Sequence, residues 1–338
     1  MAVDRVEEGD AARRPADAQA ASQADAPFSA PSGAAARPAG TADGAEPERQ
    51  AIARRLHRAL VDHVYGVGRD AWAEAVPGLR AAWENHKERY PERSRPTPHT
   101  TADGRWVAGP HRGLSPEQNA EASKACADLA DEGRRDILPA LKRVESAEAG
   151  RHLAGLKHML KGEDRLKEKI ADFMQSPEAT VKDALGIVPD AVRFTFTYSP
   201  QRYAGGVLTD VERLKAEGFE LIKLKNLWAS EQYKGINTQW RRPETGLRFE
   251  VQFHTPESLD AKELTHEAYE RIRASPPPEE QEQLEHFQRT ANALLVTPER
   301  TAEIKEYPEE ENGCEGYLLC DDRRTDQPGA PKDRIASG

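Results

Sequence analysis

The chain has 338 residues and a formal net charge of -10, an acidity that argues against broad, sequence-independent binding of nucleic acid while leaving room for a local basic groove. Its N-terminus has no apolar run that would serve as a secretory signal, and nowhere do about eighteen apolar residues run together, so it reads as a soluble, cytoplasmic chain with no membrane partner. The three cysteines, Cys126, Cys314 and Cys320, fit neither a disulfide framework nor a zinc spacing and read as reduced thiols.

Residues 1–50 are dominated by Ala, Pro, Gly, Asp and Arg with one aromatic, Phe28. Such a segment buries too little apolar surface to offset the entropy of ordering and is expected to be a disordered tail. Ile52, Leu56, Leu60 and Val64 then recur at helical spacing, and Trp72, Val76, Leu79 and Trp83 do so after a glycine-containing break, which predicts two helices. Residues 91–114 read as a long polar loop anchored by Trp106. Ser115, Pro116 and Gln118 supply a helix start with a capping box, and helical periodicity continues with breaks to about Gln175. Residues 51–148 are thus expected to be a helical region, whether an autoinhibitory or partner-binding element, a delivery segment or packing for the domain that follows.

From Asp190 the pattern changes. In DAVRFTF, Val192, Phe194 and Phe196 alternate with Arg193, Thr195 and Thr197, as in a half-buried strand. A helix is expected over 203–217, a second strand over Phe219–Leu227, and a hairpin from Ile236–Trp240 and Leu247–His254. In the last of these, Phe249, Val251 and Phe253 project to one side, and Glu250, Gln252 and His254 to the other. Helices are predicted over Leu259–Ile272, Pro278–Leu295 and Pro298–Glu306, followed by a polar tail from Tyr307 to Gly338.

The chemistry concentrates in four short segments. Lys161, Arg165 and Lys169 are spaced by four, so on a helix they form a comb of positive charge suited to a triphosphate, or a solvated helix face. Asp190 and Glu250 could supply the one or two carboxylates that a magnesium site takes from a protein when phosphates and water complete the octahedron, or they could be ordinary paired surface acids. Tyr233, in YKGIN, is placed to stack on a base or simply to pack its loop. No Ser-His-Asp order, glycine-rich phosphate loop or metal-binding His pair is present.

In this order the motifs resemble the synthetase domain of the RelA/SpoT family of nucleotide pyrophosphokinases, over Lys157–Arg273. EVQFHT is similar to the family's strand with the catalytic glutamate, here Glu250. YKGIN is similar to the element whose tyrosine stacks on the acceptor base, here Tyr233, with Asn237 where many members have His. Lys225-Asn226 resembles the Lys-Asp pair before that element, and Lys161 with Lys169 reproduces the lysine spacing of the ATP-binding element.

There are departures: Asp190 precedes Arg193 by three residues where the family's metal-binding Asp precedes its arginine by five. The family arginine two residues before the first lysine falls at Met159, which leaves Lys157 or Arg151 to supply its contacts. No hydrolase motif precedes the domain. The wording of VRFTF, YKGIN, QFHT and THEAYERIR is similar to small, divergent members that act as toxins.

The resemblance implies an α+β fold with a mixed sheet flanked by helices, a synthetase domain over 149–306 and a tail over 307–338. It implies transfer of the pyrophosphate of ATP to the 3'-hydroxyl of a guanosine or adenosine nucleotide, with Mg2+ as cofactor. Glu250 and Asp190 would be catalytic and hold the metal. Lys161, Arg165, Lys169 and Arg193 would bind the ATP phosphates, and Tyr233, Asn237, Lys225, Gln252 and His254 the acceptor. A toxin would bring an antitoxin or regulatory protein as partner. The 3' end of tRNA is an alternative acceptor: the net acidity favours the small acceptor, while a local basic patch of Lys223, Lys225, Arg241 and Arg242 keeps RNA open. A degenerate fold kept as a nucleotide sensor is a third reading, suggested by the shifted Asp and the missing Arg.

Overall fold

The computed structural model describes residues 45–92, 96–174, 179–188 and 190–308, so the expected tails over 1–44 and 309–338, with Cys314 and Cys320, lie outside the described residues. The chain divides into two compact units, Met1–Ala53 and Arg54–Gly338. Of the first, only the opening turns of a helix are described.

That helix, α1, runs without interruption over Ala45–Arg89, where two helices and a disordered stretch to residue 50 were expected. Its start is favoured by Pro47 in the first turn, where a missing N–H costs nothing. Gly66 and Gly68 do not break it, since glycine inside a helix costs only about 1 kcal/mol against alanine. Gly68 has a packing reason to be there: a Cβ would stand 2.3 Å from Val296 Cγ2. In the second unit α1 buries Trp72, Leu79 and Trp83 against the C-terminal helices, and the two indoles donate to Asp260 (2.9 Å) and Glu267 (3.1 Å).

The stretch read as a loop holds a small antiparallel sheet of β1 (His99–Thr100), β2 (Trp106–Gly109) and β3 (Arg112–Leu114). Trp106 is its buried centre and donates to Asp164 Oδ1 at 2.9 Å. Helix α2 (Pro116–Glu132) starts with the expected box, Ser115 accepting from Gln118 N and Gln118 accepting from Ser115 N. A π-helical turn over Gly133–Ile137 leads into α3 (Leu138–Ser146). Then come β4 (Arg151–Ala154), α4 (Glu163–Phe173), α5 (Val181–Ile187), β5 (Arg193–Tyr198), α6 (Tyr203–Ala216), β6 (Glu220–Asn226), β7 (Ile236–Arg241), β8 (Arg248–His254), α7 (Pro256–Arg273) and α8 (Pro278–Ala293).

The main sheet has the order β4-β5-β8-β7-β6, with β5 and β8 parallel and the other pairs antiparallel. This is the expected α+β architecture of a mixed sheet with helices about it. One face of the sheet is apolar: Phe194, Phe196, Phe249, Val251, Phe253, Ile236 and Trp240 join Ile137, Leu141 and Val144 of the α2–α3 run and Tyr203, Val207 and Leu214 of α6 in one core. Each such side chain withdrawn from water contributes about 1.5–3 kcal/mol. The core crosses residue 148, so the helices just before it pack with the sheet that follows.

Two further corrections concern the last expected helix and Arg151. Residues 298–306 form only a short 3-10 turn, Thr301–Glu303, because Arg300 is left-handed (φ 62°) and Tyr307 pairs its backbone with Leu224, drawing the chain out extended. Arg151, a candidate for phosphate contact, is instead buried in an ion pair with Asp210 (2.9 Å), whose other oxygen takes Arg213 (2.8 Å). Tyr198 donates to Asp210 Oδ2 at 2.6 Å. That network fastens β4 and α6 to the far end of β5. No described helix is long and apolar enough to cross a membrane.

Candidate functional site

The opposite face of the sheet carries the polar residues in register. Strand pairing sets Arg193, Glu250, Gln239 and Lys223 side by side in one row, and Thr195, Gln252, Asn237 and Lys225 in the next. Residues directly opposite in paired strands share a face, so two parallel polar rows cross four strands. Thr197 and His254 begin a third.

At the β5 edge of the first row is an ionic cluster. Leu160 bridges to Val192 and Lys161 N donates to Ala191 O (3.0 Å), which brings the segment before α4 beside the start of β5. Lys161 therefore precedes the helix instead of belonging to a three-toothed comb. Its ammonium and that of Lys169 meet on Asp190: Lys161 Nζ pairs closely with Oδ2, and Lys169 Nζ lies 2.8 Å from Oδ1. Arg193 Nη2 is 3.2 Å from the same Oδ2, while Arg193 Nε is 3.2 Å from Glu250 Oε1. One guanidinium thus links the two carboxylates. Arg165 points elsewhere, pairing with Glu168 (3.1 Å) and Glu270 (2.9 Å).

These surroundings set the protonation states. Burial works to raise the Asp190 carboxyl, but Lys161 and Lys169 outweigh it and hold it well below the usual carboxylate range. Burial lowers Lys161, opposed by Asp190. Burial raises Glu250, whose side chain is 12% exposed, with Arg193 opposing and Asp190 reinforcing.

The second row continues the network. Gln252 Nε2 donates to Glu250 Oε1, and Lys262 Nζ of α7 donates to Gln252 Oε1 at 2.8 Å. Burial and the nearby Arg193 pull Lys262 down to about 8, with Glu250 opposing. Sequence reasoning missed Lys262, although Ser258, Lys262 and His266 recur every four residues and mark a polar stripe on α7.

Tyr233, Asn237 and His254 form a closed set. The Tyr233 hydroxyl donates to Asn237 Oδ1 (2.7 Å) and lies 2.9 Å from His254 Nε2, while His254 Nδ1 lies 2.9 Å from Ser258 Oγ. His254 is fully buried and burial pulls its pKa down to about 3, so the imidazole is neutral and has a neighbour at each nitrogen. Its ring abuts Gly235, where a Cβ would stand 2.7 Å from Cε1. Lys225 is exposed on β6 next to Asn237, whereas Asn226 is occupied with Thr301 O (2.8 Å) and Ile304 O (3.0 Å). The basic patch is partly neutralised, Arg241 by Glu220 and Arg242 by Glu132 and Asp136. Cys126 is buried, its thiol pushed up to about 11 by burial, which leaves it unreactive.

Among the described residues no group of three or more His, Cys, Asp or Glu is arranged to hold a metal. The hard oxygen donors available at the cluster are Asp190 and Glu250, a set suited to a cation that completes its shell from phosphate and water.

No family model and no curated protein matches the sequence. Among solved structures the chain is similar to a GTP pyrophosphokinase family protein from Streptococcus pneumoniae, at 16% identity over 56% of this chain and 91% of that one, with a TM-score of 0.35. It is similar to small alarmone synthetase 1 from Bacillus subtilis bound to its product pppGpp, at 13% identity over 54% and 91%, TM-score 0.35. A third likeness is to small alarmone synthetase 2 from Bacillus subtilis, at 14% identity over 52% and 90%, TM-score 0.32.

Proposed function

We propose that the chain is an ATP-dependent pyrophosphokinase of RelA/SpoT type, which moves the pyrophosphate of ATP to the 3'-hydroxyl of a guanosine or adenosine nucleotide. The observation that carries this reading is the convergence of Lys161, Lys169 and Arg193 on Asp190, with Arg193 also reaching Glu250. Three cations and two carboxylates thus meet at the start of β5 and the facing part of β8. They lie in the motifs that resemble the family's synthetase domain.

In this reading the ammoniums of Lys161 and Lys169 exchange Asp190 for phosphate oxygens when ATP arrives, and Arg193 follows the β-phosphate. The acceptor's 3'-oxygen attacks the β-phosphorus, the bond from that phosphorus to the bridging oxygen of the α-phosphate breaks, and AMP leaves. Glu250 accepts the hydroxyl proton, a role that burial favours by raising its basicity. Asp190 and Glu250 would hold Mg2+, whose charge would offset that building up on the phosphates. Tyr233, Asn237 and Lys225 line the acceptor side, and Gln252, itself buried and bonded to Glu250 and Lys262, backs them. His254 acts there through Tyr233, since it is fully buried. Arg165 reaches ATP only by leaving Glu270.

The neutralised Arg241 and Arg242 favour a small acceptor over tRNA. Incubating the protein with magnesium and ATP labelled on its γ-phosphate, and offering GDP, GTP, AMP, ADP and bulk tRNA separately, tests the reading, with Glu250→Ala as control. Label on one nucleotide, lost in the control, is the expected result. Label on tRNA alone would make the protein a translation-directed toxin. Folded protein that binds ATP and labels nothing would leave the sensor reading.

A further inference from the structure

Helix α7 begins directly after β8, its start fixed by Thr255 accepting from Ser258 N at 3.2 Å. With no loop between them, the helix passes back over the polar file of the strand it follows. Lys262 is thereby carried to Gln252, with Nζ to Oε1 at 2.8 Å, and Gln252 in turn meets Glu250.

The chemistry of these three groups allows one arrangement. An ammonium has donors only and an ionised carboxylate acceptors only, whereas an amide has an oxygen at one corner and an NH2 at the other. Lys262 must face the amide oxygen, which turns the NH2 toward Glu250. The reversed amide would set NH2 against ammonium and oxygen against carboxylate. Glu250 Oε1 then takes Gln252 Nε2 and lies 3.2 Å from Arg193 Nε, so both neighbours fix the same oxygen. Keeping a cation at this half-buried place is unfavourable, because burial and Arg193 both work against its charge. A methionine would fill the volume without that cost.

We infer that Lys262 is a positioning residue, which through the Gln252 amide fixes the place and direction of the Glu250 carboxylate. Only its effect on turnover rests on the pyrophosphokinase reading; the contact itself does not. Lys262 is outside the motifs that resemble the family.

The test uses the full chain, labelled with 15N in glutamine side chains, as wild type, Lys262→Met and Lys262→Arg. The Gln252 amide pair is assigned by its loss in Gln252→Leu. The wild type is expected to show this pair shifted from the free-amide position and slow to exchange with solvent. In Lys262→Met the pair should move to the free-amide position and exchange at least tenfold faster. The kcat for transfer should fall at least tenfold with the KM for ATP within twofold, and Lys262→Arg should restore both signal and turnover. An unchanged Gln252 pair in folded Lys262→Met would overturn the assignment whatever the activity, and so would a moved pair with undiminished kcat. If the wild type itself transfers nothing, the pyrophosphokinase reading fails, while the amide signal still decides for or against Lys262.

Discussion

Arg193 and Glu250 stand opposite each other on the parallel strands β5 and β8, with Nε 3.2 Å from Oε1, and the same guanidinium reaches Asp190 at 3.2 Å. Two carboxylates that would repel are thus kept together by one planar cation, whose Nη2 donates to Asp190 while Nε lies at ion-pair distance from Glu250. Arg193→Lys replaces that planar cation by a point charge. It is expected to lower transfer at least tenfold while shifting the melting temperature by only a few degrees, a combination that steady-state kinetics and a thermal melt will check. Transfer at the wild-type rate would remove Arg193 from the mechanism.

Glu250→Gln keeps the shape of the side chain and removes its charge and basicity. Loss of all measurable transfer is expected from a protein whose circular dichroism spectrum matches the wild type. A fully active Gln variant would falsify the catalytic assignment.

Tyr233 offers a separation between ring and hydroxyl. Tyr233→Phe deletes the bonds to Asn237 and His254 and should cost about 1 kcal/mol of stability, leaving the KM for the acceptor within threefold. Tyr233→Ala also deletes the ring and should raise that KM by tenfold or more if the base stacks there, stacking being worth about 1–3 kcal/mol. Equal acceptor KM values for the two variants would place the base elsewhere.

His254 gives stability a definite pH dependence. Its folded pKa, about 3, lies below an unfolded value of about 6.5, so between these the unfolded chain binds the extra proton. The stability is complete above about pH 6.5 and is lost progressively as the pH falls toward 3, a window worth up to about 5 kcal/mol. His254→Gln, which can bond both neighbours without titrating, should flatten the fall in melting temperature between pH 6.5 and 4. An unchanged slope would mean that other groups set it.

Gly235→Ala tests the packing behind the same histidine. The added methyl would lie 2.7 Å from His254 Cε1 and 3.1 Å from Phe253 O, and the second is backbone that cannot swing aside. Overpacking of this kind costs about 1–3 kcal/mol. A melting temperature equal to the wild type in differential scanning calorimetry would show that the loop yields freely.

Much of this architecture is readable from local pattern. The alternation in β5 and β8, the Ser115 and Gln118 box, and the hairpin pairing Arg241 with Arg248 each follow from periods of two or from caps that act within a few residues. Those signals also put Glu250, Gln252 and His254 on one face. They say nothing about what covers the face, which is why His254 reads as available in the sequence and is fully buried in the fold.

The sequence by itself determined which segments form the main strands, their order along the chain and the polar file on β8, because those depend on interactions between near neighbours. The mixed sheet was an expectation from the family resemblance, since its parallel β5–β8 pair joins segments far apart in the chain. Only the tertiary structure decided which charges meet. Lys161 and Lys169 converge on Asp190 while Arg165 turns to Glu270, and Lys262 reaches Gln252 from another helix. It also decided that α1 continues through Gly66 and Gly68, since the close approach to Val296 and the burial of Trp72 and Trp83 involve partners more than 180 residues away. Charge pairing and close packing depend on distances through space, and spacing along the chain constrains these only within a single helix or strand.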